Sequence, residues 1–178
     1  NHSLLFFLGK WEISKELPVH LCSISGLICC FIMFIPKNKR QFLFEFLFYC
    51  GIIGGIQAIL TPLLDDYGGY DFFYIQFFFK HAMIIAFPIY LRNNLGMKLT
   101  KFSWLKTCVV LNIFMFILIP LNNFLGSNYM YVNVPPAVDN PMVIGEWPTY
   151  LYWWELFVLI LILLVFVIGK PKTFEKIN

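Results

Sequence analysis

Charge is what this chain of 178 residues has least of: Asp, Glu, Lys and Arg make up 13% of it, against 60% hydrophobic and 20% aromatic residues. A water-soluble protein of that composition would carry more apolar surface than its core can enclose, so a solution fold is excluded. At a mean hydropathy of +0.74, a lipid bilayer has to supply the remaining burial. Alternation of apolar and polar residues is also missing, although Phe and Ile are plentiful, and that excludes the strands of an outer-membrane barrel. No Gly/Ser-rich linker divides the chain, which therefore reads as a single transmembrane domain over residues 1–178. There is no CxxC pair and no Cys/His set with zinc spacing. Cys22, Cys29, Cys30, Cys50 and Cys108 all fall within apolar runs, so no disulfide scaffold, metal or cofactor is expected.

What the sequence does have is five apolar stretches, at 17–36, 42–64, 72–91, 103–121 and 148–168. Each is close to the roughly 20 helical residues that cross a hydrocarbon core. The expected fold is an all-α, polytopic transmembrane bundle with five helices in this chain. One connection, 122–147, is far longer than an ordinary loop and is expected to form a partial lid. Trp147, Tyr150, Tyr152, Trp153 and Trp154 read as the interface belt of the last helix. Pro62, Pro88 and Pro120 fall near the expected helix ends, which speaks against the broken helices of a transporter.

Lys and Arg collect in alternate loops, and short loops rich in them stay cytoplasmic. Lys37, Lys39 and Arg40 lie on one side with Arg92, Lys98, Lys101 and Lys106, and with Lys170, Lys172 and Lys176. The acidic stretch "DDYGGYD" (65–71), Asp139 and Glu146 lie on the other. The C-terminus is accordingly expected in the cytoplasm and the location at the cell membrane. The net charge of +3 describes sidedness, and no nucleic-acid partner is expected. With residues 1–16 outside, a sixth helix upstream of Asn1, or a cleaved signal peptide, is expected to have carried them across.

Polar residues inside a bilayer cost free energy unless they pair or serve a task. His20, Cys22, Gln57, Gln76, Lys80, His81, Asn112 and Glu155 all fall about 5 to 15 Å from the outer helix ends, counting 1.5 Å per residue. Glu45 sits apart near the inner surface, where it is expected to offset the Lys37 to Arg40 cluster. Gln57, Gln76 and Asn112 taken singly suit interhelical hydrogen bonding, and Lys80 with Glu155 suits an ion pair. Positions 20 and 22 point about 160° apart on a regular helix, so His20 is a poor base for Cys22 unless Pro18 unwinds the first turn. Cys22 shares a face with Ser25, Gly26 and Cys29, and Gly51, Gly54, Gly55 and Ala58 offer a matching small surface on the second helix. His81 arrives at nearly the depth of Cys22, and a thiol beside a base or cation is a usable nucleophile. The competing reading makes Cys22 a small packing residue.

"ELPVHLCSIS" (16–25), "QAILTP" (57–62), "FFYIQFFFKHAMI" (72–84), "GSNYM" (126–130) and "GEWPTYLYWWE" (145–155) together resemble the ordered motifs of the YwaF-like integral membrane family. Thr149 stands where that family usually has Trp. Eukaryotic relatives include a transmembrane acyltransferase that remodels ether phospholipids through an acylated cysteine. The resemblance implies Cys22 as nucleophile and His81 as base, and it adds Asn128 and Tyr129 to the supporting polar set. Its expected function is a membrane acyltransferase or lipid-ester hydrolase acting on phospholipid or lipoprotein acyl chains. The alternative is a non-catalytic membrane protein, either a small transporter or an accessory subunit with a membrane-protein partner.

Overall fold

A computed structural model of the chain describes residues 2–62, 64, 71–137 and 140–174, and every regular element within them is helical. Two short helices come first, α1 (His2–Phe7) and α2 (Ile13–Glu16), in a stretch where the sequence suggested none. A short apolar helix, α3 (Leu21–Phe34), follows. Four helices are long and apolar enough to cross a membrane: α4 (Gln41–Leu60), α5 (Asp71–Leu95), α6 (Ser103–Leu125) and α7 (Thr149–Gly169). The protein is a multi-pass, all-α membrane protein. Loop residues 65–70, Asp139 and Lys176, which entered the charge argument, lie outside the described residues.

The helix ends follow local chemistry. Leu17, next to Pro18, is extended (φ −62°, ψ 136°), because a residue before proline is pushed out of the helical region. That delays α3 until Leu21, and the run expected from residue 17 begins four residues later. At its other end Arg40 Nε donates to the Ile35 carbonyl at 3.0 Å, close to where Pro36 stops the chain from continuing. α5 ends at Gly96 (φ +67°) with Met97 N–H reaching back to the Leu91 carbonyl, and α6 ends at Gly126 (φ +61°) with Ser127 N–H on the Asn122 carbonyl. A left-handed residue just past the last turn is the usual glycine stop.

Because α5 and α6 continue to Leu95 and Leu125, Pro88 and Pro120 lie inside them, contrary to the expectation that they sit near helix ends. Both helices run on without interruption. Pro88 has no N–H to give the Ile84 carbonyl. Against that carbonyl packs Gly51, where an added Cβ would lie only 2.6 Å from the Ile84 oxygen.

α4 is the central helix. Half of its spanning window is buried, against 11% for α6 and for α7, which leave most of their surface to lipid. Its middle, Leu47–Gly51, is a π-helical turn, and Phe44, Leu47 and Tyr49 are wholly buried there. Gly55 lets α5 come close as well, since a Cβ would meet Ile85 Cγ1 at 2.6 Å and the His81 carbonyl oxygen at 3.1 Å.

At the Lys/Arg-rich end, Glu45 is fully buried and does not offset the Lys37 to Arg40 cluster. Its Oε2 accepts from Lys106 Nζ at 2.7 Å, and its Oε1 accepts from Gln41 Nε2 and Thr100 N–H, each at 3.0 Å. A buried carboxylate needs a fixed cation and satisfied lone pairs, and Arg40 has instead been drawn to the carbonyls that end α3.

Candidate functional site

Cys22 sits in the first turn of α3 and is half-buried. Its Sγ–H donates to the Gly54 carbonyl of α4 at 3.8 Å, and a Cβ on Gly54 would lie 3.6 Å from that sulfur. The small surface on α4 therefore meets Cys22, as the glycine spacing suggested. α3 also touches α5: a Cβ on Gly26 would contact the Lys80 stem at 4.0 Å.

His81, on α5, is 3% exposed. Its Nδ1 lies 2.7 Å from the Phe77 carbonyl oxygen, one turn earlier in α5. A carbonyl only accepts, so this contact assigns the proton to Nδ1 and leaves Nε2 with a free lone pair. The imidazole folds back along α5 against the Phe77 ring, with centroids 4.2 Å apart, in the N-terminal direction that helical side chains favour. No hydrogen bond joins Cys22 to His81; the thiol is held by Gly54 and the imidazole by Phe77.

The remaining members of the polar band separate into those already satisfied and those left open. Asn112 Nδ2 donates to the Cys108 carbonyl of its own helix at 3.1 Å. Glu155 is exposed on α7, and no ion pair joins it to Lys80 among the described residues. Gln57 and Gln76 are half-buried, and their amides have no hydrogen-bond partner among the described residues. Gln57 lies one turn beyond Gly54 on the face of α4 that meets Cys22.

His20 serves a different structure. With Pro18 holding the chain extended, His20 precedes α3 and its Nδ1 accepts from Met130 N–H at 3.3 Å. Its ring meets Tyr129 edge-on at 5.4 Å and lies 5.5 Å from Tyr131. Tyr129 is 1% exposed; its hydroxyl accepts from Leu17 N–H at 3.0 Å and donates to the Ile13 carbonyl. Burial pushes that phenol above its ordinary pKa, so it remains a donor at neutral pH. The "SNYM" segment thus clamps the entrance to α3 to the end of α2. Asn128 organises the same loop, its Oδ1 accepting from Asn133 N–H at 3.3 Å and Val134 N–H at 3.1 Å. Met130 and Tyr131 both hold positive φ (57° and 55°), a costly conformation for non-glycine residues that surrounding contacts must enforce. Trp147 Nε1 donates to the Val132 carbonyl at 3.1 Å and Tyr150 Oη to the Tyr131 carbonyl at 2.6 Å. These two rings fasten the loop, and Trp147, Tyr152 and Trp153 are the exposed aromatics of that group.

A family model matches residues 1–166. The chain belongs to the TMEM164 family. No curated protein and no solved structure gives a significant match.

In this member of the TMEM164 family, the residue that makes most of the side-chain hydrogen bonds to the loop expected to form a lid is one that sequence reasoning left out. Asn122 is buried in the last turn of α6; its Oδ1 accepts from Tyr129 N–H and Ser127 Oγ, while its Nδ2 donates to the Tyr129 carbonyl and Asn133 Oδ1. The Asn122–Asn123 pair looked like a loop beginning. Ser25 is the second omission as a polar group: one turn from Cys22, its Oγ is buried with no hydrogen-bond partner among the described residues. Among the described residues, no three His, Cys, Asp or Glu side chains are grouped so as to hold a metal ion.

Proposed function

We propose that this TMEM164-family protein is an acyltransferase or lipid-ester hydrolase of the cell membrane, with Cys22 as nucleophile and His81 as general base. The observation that supports the reading is the His81 tautomer: Nδ1–H is committed to Phe77, which leaves the Nε2 lone pair with no hydrogen-bond partner among the described residues, on a buried side chain whose backbone packs against Gly55, the residue after Gly54. Nε2 takes the Cys22 proton as the sulfur leaves its Gly54 hydrogen bond, and the thiolate attacks the carbonyl carbon of a phospholipid or lipoprotein ester. The alcohol leaves with the proton from His81, giving a thioester at Cys22. A lyso-lipid hydroxyl or water, deprotonated by His81, then accepts the acyl group. Gln57, whose amide has no partner among the described residues, is the better oxyanion donor than Asn112, whose amide is engaged. The basic helix ends and the C-terminus face the cytoplasm in this reading, and the lid faces outward.

The second reading, a non-catalytic transporter or accessory subunit, draws on the Cys22 thiol being already satisfied by Gly54. One experiment separates the two. Intact-protein mass after mixing with phospholipid is expected to show a fatty-acyl adduct that neutral hydroxylamine removes, absent in Cys22→Ala and formed about a hundred- to ten-thousand-fold more slowly in His81→Ala. An adduct persisting in Cys22→Ala would overturn the nucleophile, and absence of any adduct in the unsubstituted protein would favour the second reading.

A further inference from the structure

At the end of the bundle opposite the lid, a cavity of about 420 Å³ is lined by Arg92, Asn93, Gly96, Met97, Lys98, Gly169 and Pro171. We propose that it binds the phosphate head group of an anionic glycerophospholipid. Among the described residues, two cations line it and no Asp or Glu does. The Arg92 guanidinium lies over the Phe48 ring, 5.9 Å from its centroid, and has no hydrogen bond or ion pair among the described residues. An unpaired guanidinium fork is the group best matched to two phosphate oxygens, and Asn93 adds an amide on the same helix. The volume falls in the range of roughly 300 to 1,000 Å³ typical of small-ligand sites, which suits a head group.

The backbone keeps this space open. Gly96, in the left-handed conformation that ends α5, has nothing within 4 Å of where a Cβ would stand. On the far wall Gly169 seals the floor, since a Cβ there would strike Phe48 Cε1 at 2.7 Å and Leu99 Cδ1 at 2.9 Å. What selects a lipid over free phosphate is the surface flanking the opening. Leu95 and Ile168, next in the chain to Gly96 and Gly169, are 44% and 70% exposed. Acyl chains of a bound phospholipid lie against such residues while its head group meets Arg92 and Lys98. Basic pockets between helix ends on the anionic leaflet are recognised by this combination of charge and apolar rim.

The site is independent of the Cys22 chemistry, and its test uses binding alone. Native mass spectrometry of the full chain in detergent, with phosphatidylglycerol added, is compared with phosphatidylcholine, with glycerol 3-phosphate and with inorganic phosphate. Phosphatidylglycerol is expected to be retained about tenfold more than phosphatidylcholine, and the two soluble phosphates are expected not to displace it at equal concentration. Arg92→Gln and Lys98→Gln are each expected to lower retention about fivefold, the contribution of one cation near an anionic surface. Asn93→Asp, a change at an exposed position, is expected to lower it comparably by repulsion and serves if the Arg92 variant fails to fold. Equal retention of the two lipids, or variants that bind as the unsubstituted protein does, would mean that Arg92 and Lys98 only offset the carbonyl ends of α5 and α7. Displacement by inorganic phosphate at equal concentration would identify a free-phosphate site and overturn the lipid.

Discussion

From Phe44 to Gly51, α4 is buried at every residue; from Ile52 to Leu60, only Gly55 is. The half nearer the Lys/Arg-rich end, inner in the proposed topology, is fixed by a carboxylate, a π-helical turn and a glycine pressed on a backbone carbonyl. The half nearer the lid, outer in that topology, has Gly54 at ordinary contact distance from a thiol and a glutamine amide with no partner among the described residues. One helix therefore supplies both a rigid anchor and the less tightly packed face at which the proposed chemistry would take place. A membrane bundle gains little from hydrophobic association, because lipid is as apolar as a helix side chain, so packing and hydrogen bonds must hold the anchor. The reacting face is then free to remain incompletely satisfied.

The comparison breaks most visibly at Lys106. Lys106→Ala leaves the Glu45 carboxylate, which is 0% exposed, without its cation. Stability in detergent is expected to fall by about 3 kcal/mol, the low end for breaking a buried pair, because the Lys106 side chain is 46% exposed. Thermal unfolding followed by intrinsic fluorescence measures it, and an unchanged midpoint would show that the inner half is not anchored by charge. Gly51→Ala is next, at about 2 kcal/mol. The new Cβ meets the Ile84 backbone oxygen at 2.6 Å, which cannot swing aside as a side chain would.

How far the sequence foretold this contrast depends on the range of the interaction. The apolar runs were legible because a bilayer imposes their length on composition alone. Their ends were less so: α5 passes Arg92 and α6 passes Leu121, since backbone hydrogen bonding continues into the interface until a left-handed glycine stops it. The small face of α4 was readable from helical periodicity. Glu45 was assigned the wrong cations because Lys106 lies far along the chain, and only packing brings the two together. Asn122 was missed for a similar reason. An amide pair reads as a turn, whereas here the side chain completes the turn that follows the helix.

The lid extends the comparison to the outer end, where neutral amides replace the inner ion pair. Asn122→Ala removes an acceptor from the Tyr129 N–H and a donor from the Tyr129 carbonyl, both buried. A loss of about 1 to 2 kcal/mol is expected, since each buried polar group left unmade carries its own desolvation cost. Hydrogen exchange localises it: Ser127 to Val134 should exchange faster while α4 and α5 keep their protection. Exchange that rises throughout the bundle would make the lid part of the anchor.

The smallest effect belongs to Gly54. A Cβ there stands 3.6 Å from Cys22 Sγ, an ordinary van der Waals distance, whereas at Gly51 the same atom would collide. Gly54→Ala is therefore expected to change stability by no more than about 0.5 kcal/mol, because alanine's helix propensity offsets small repacking costs. Its effect falls on the thiol. The added methyl fills space beside Sγ that an acyl carbonyl would enter in the proposed chemistry, so alkylation of Cys22 by a small maleimide should slow while the unfolding midpoint stays near that of the unsubstituted protein. If Gly54→Ala destabilises as much as Gly51→Ala, the outer half of α4 has no more room than the inner, and the contrast between anchor and reactive face fails.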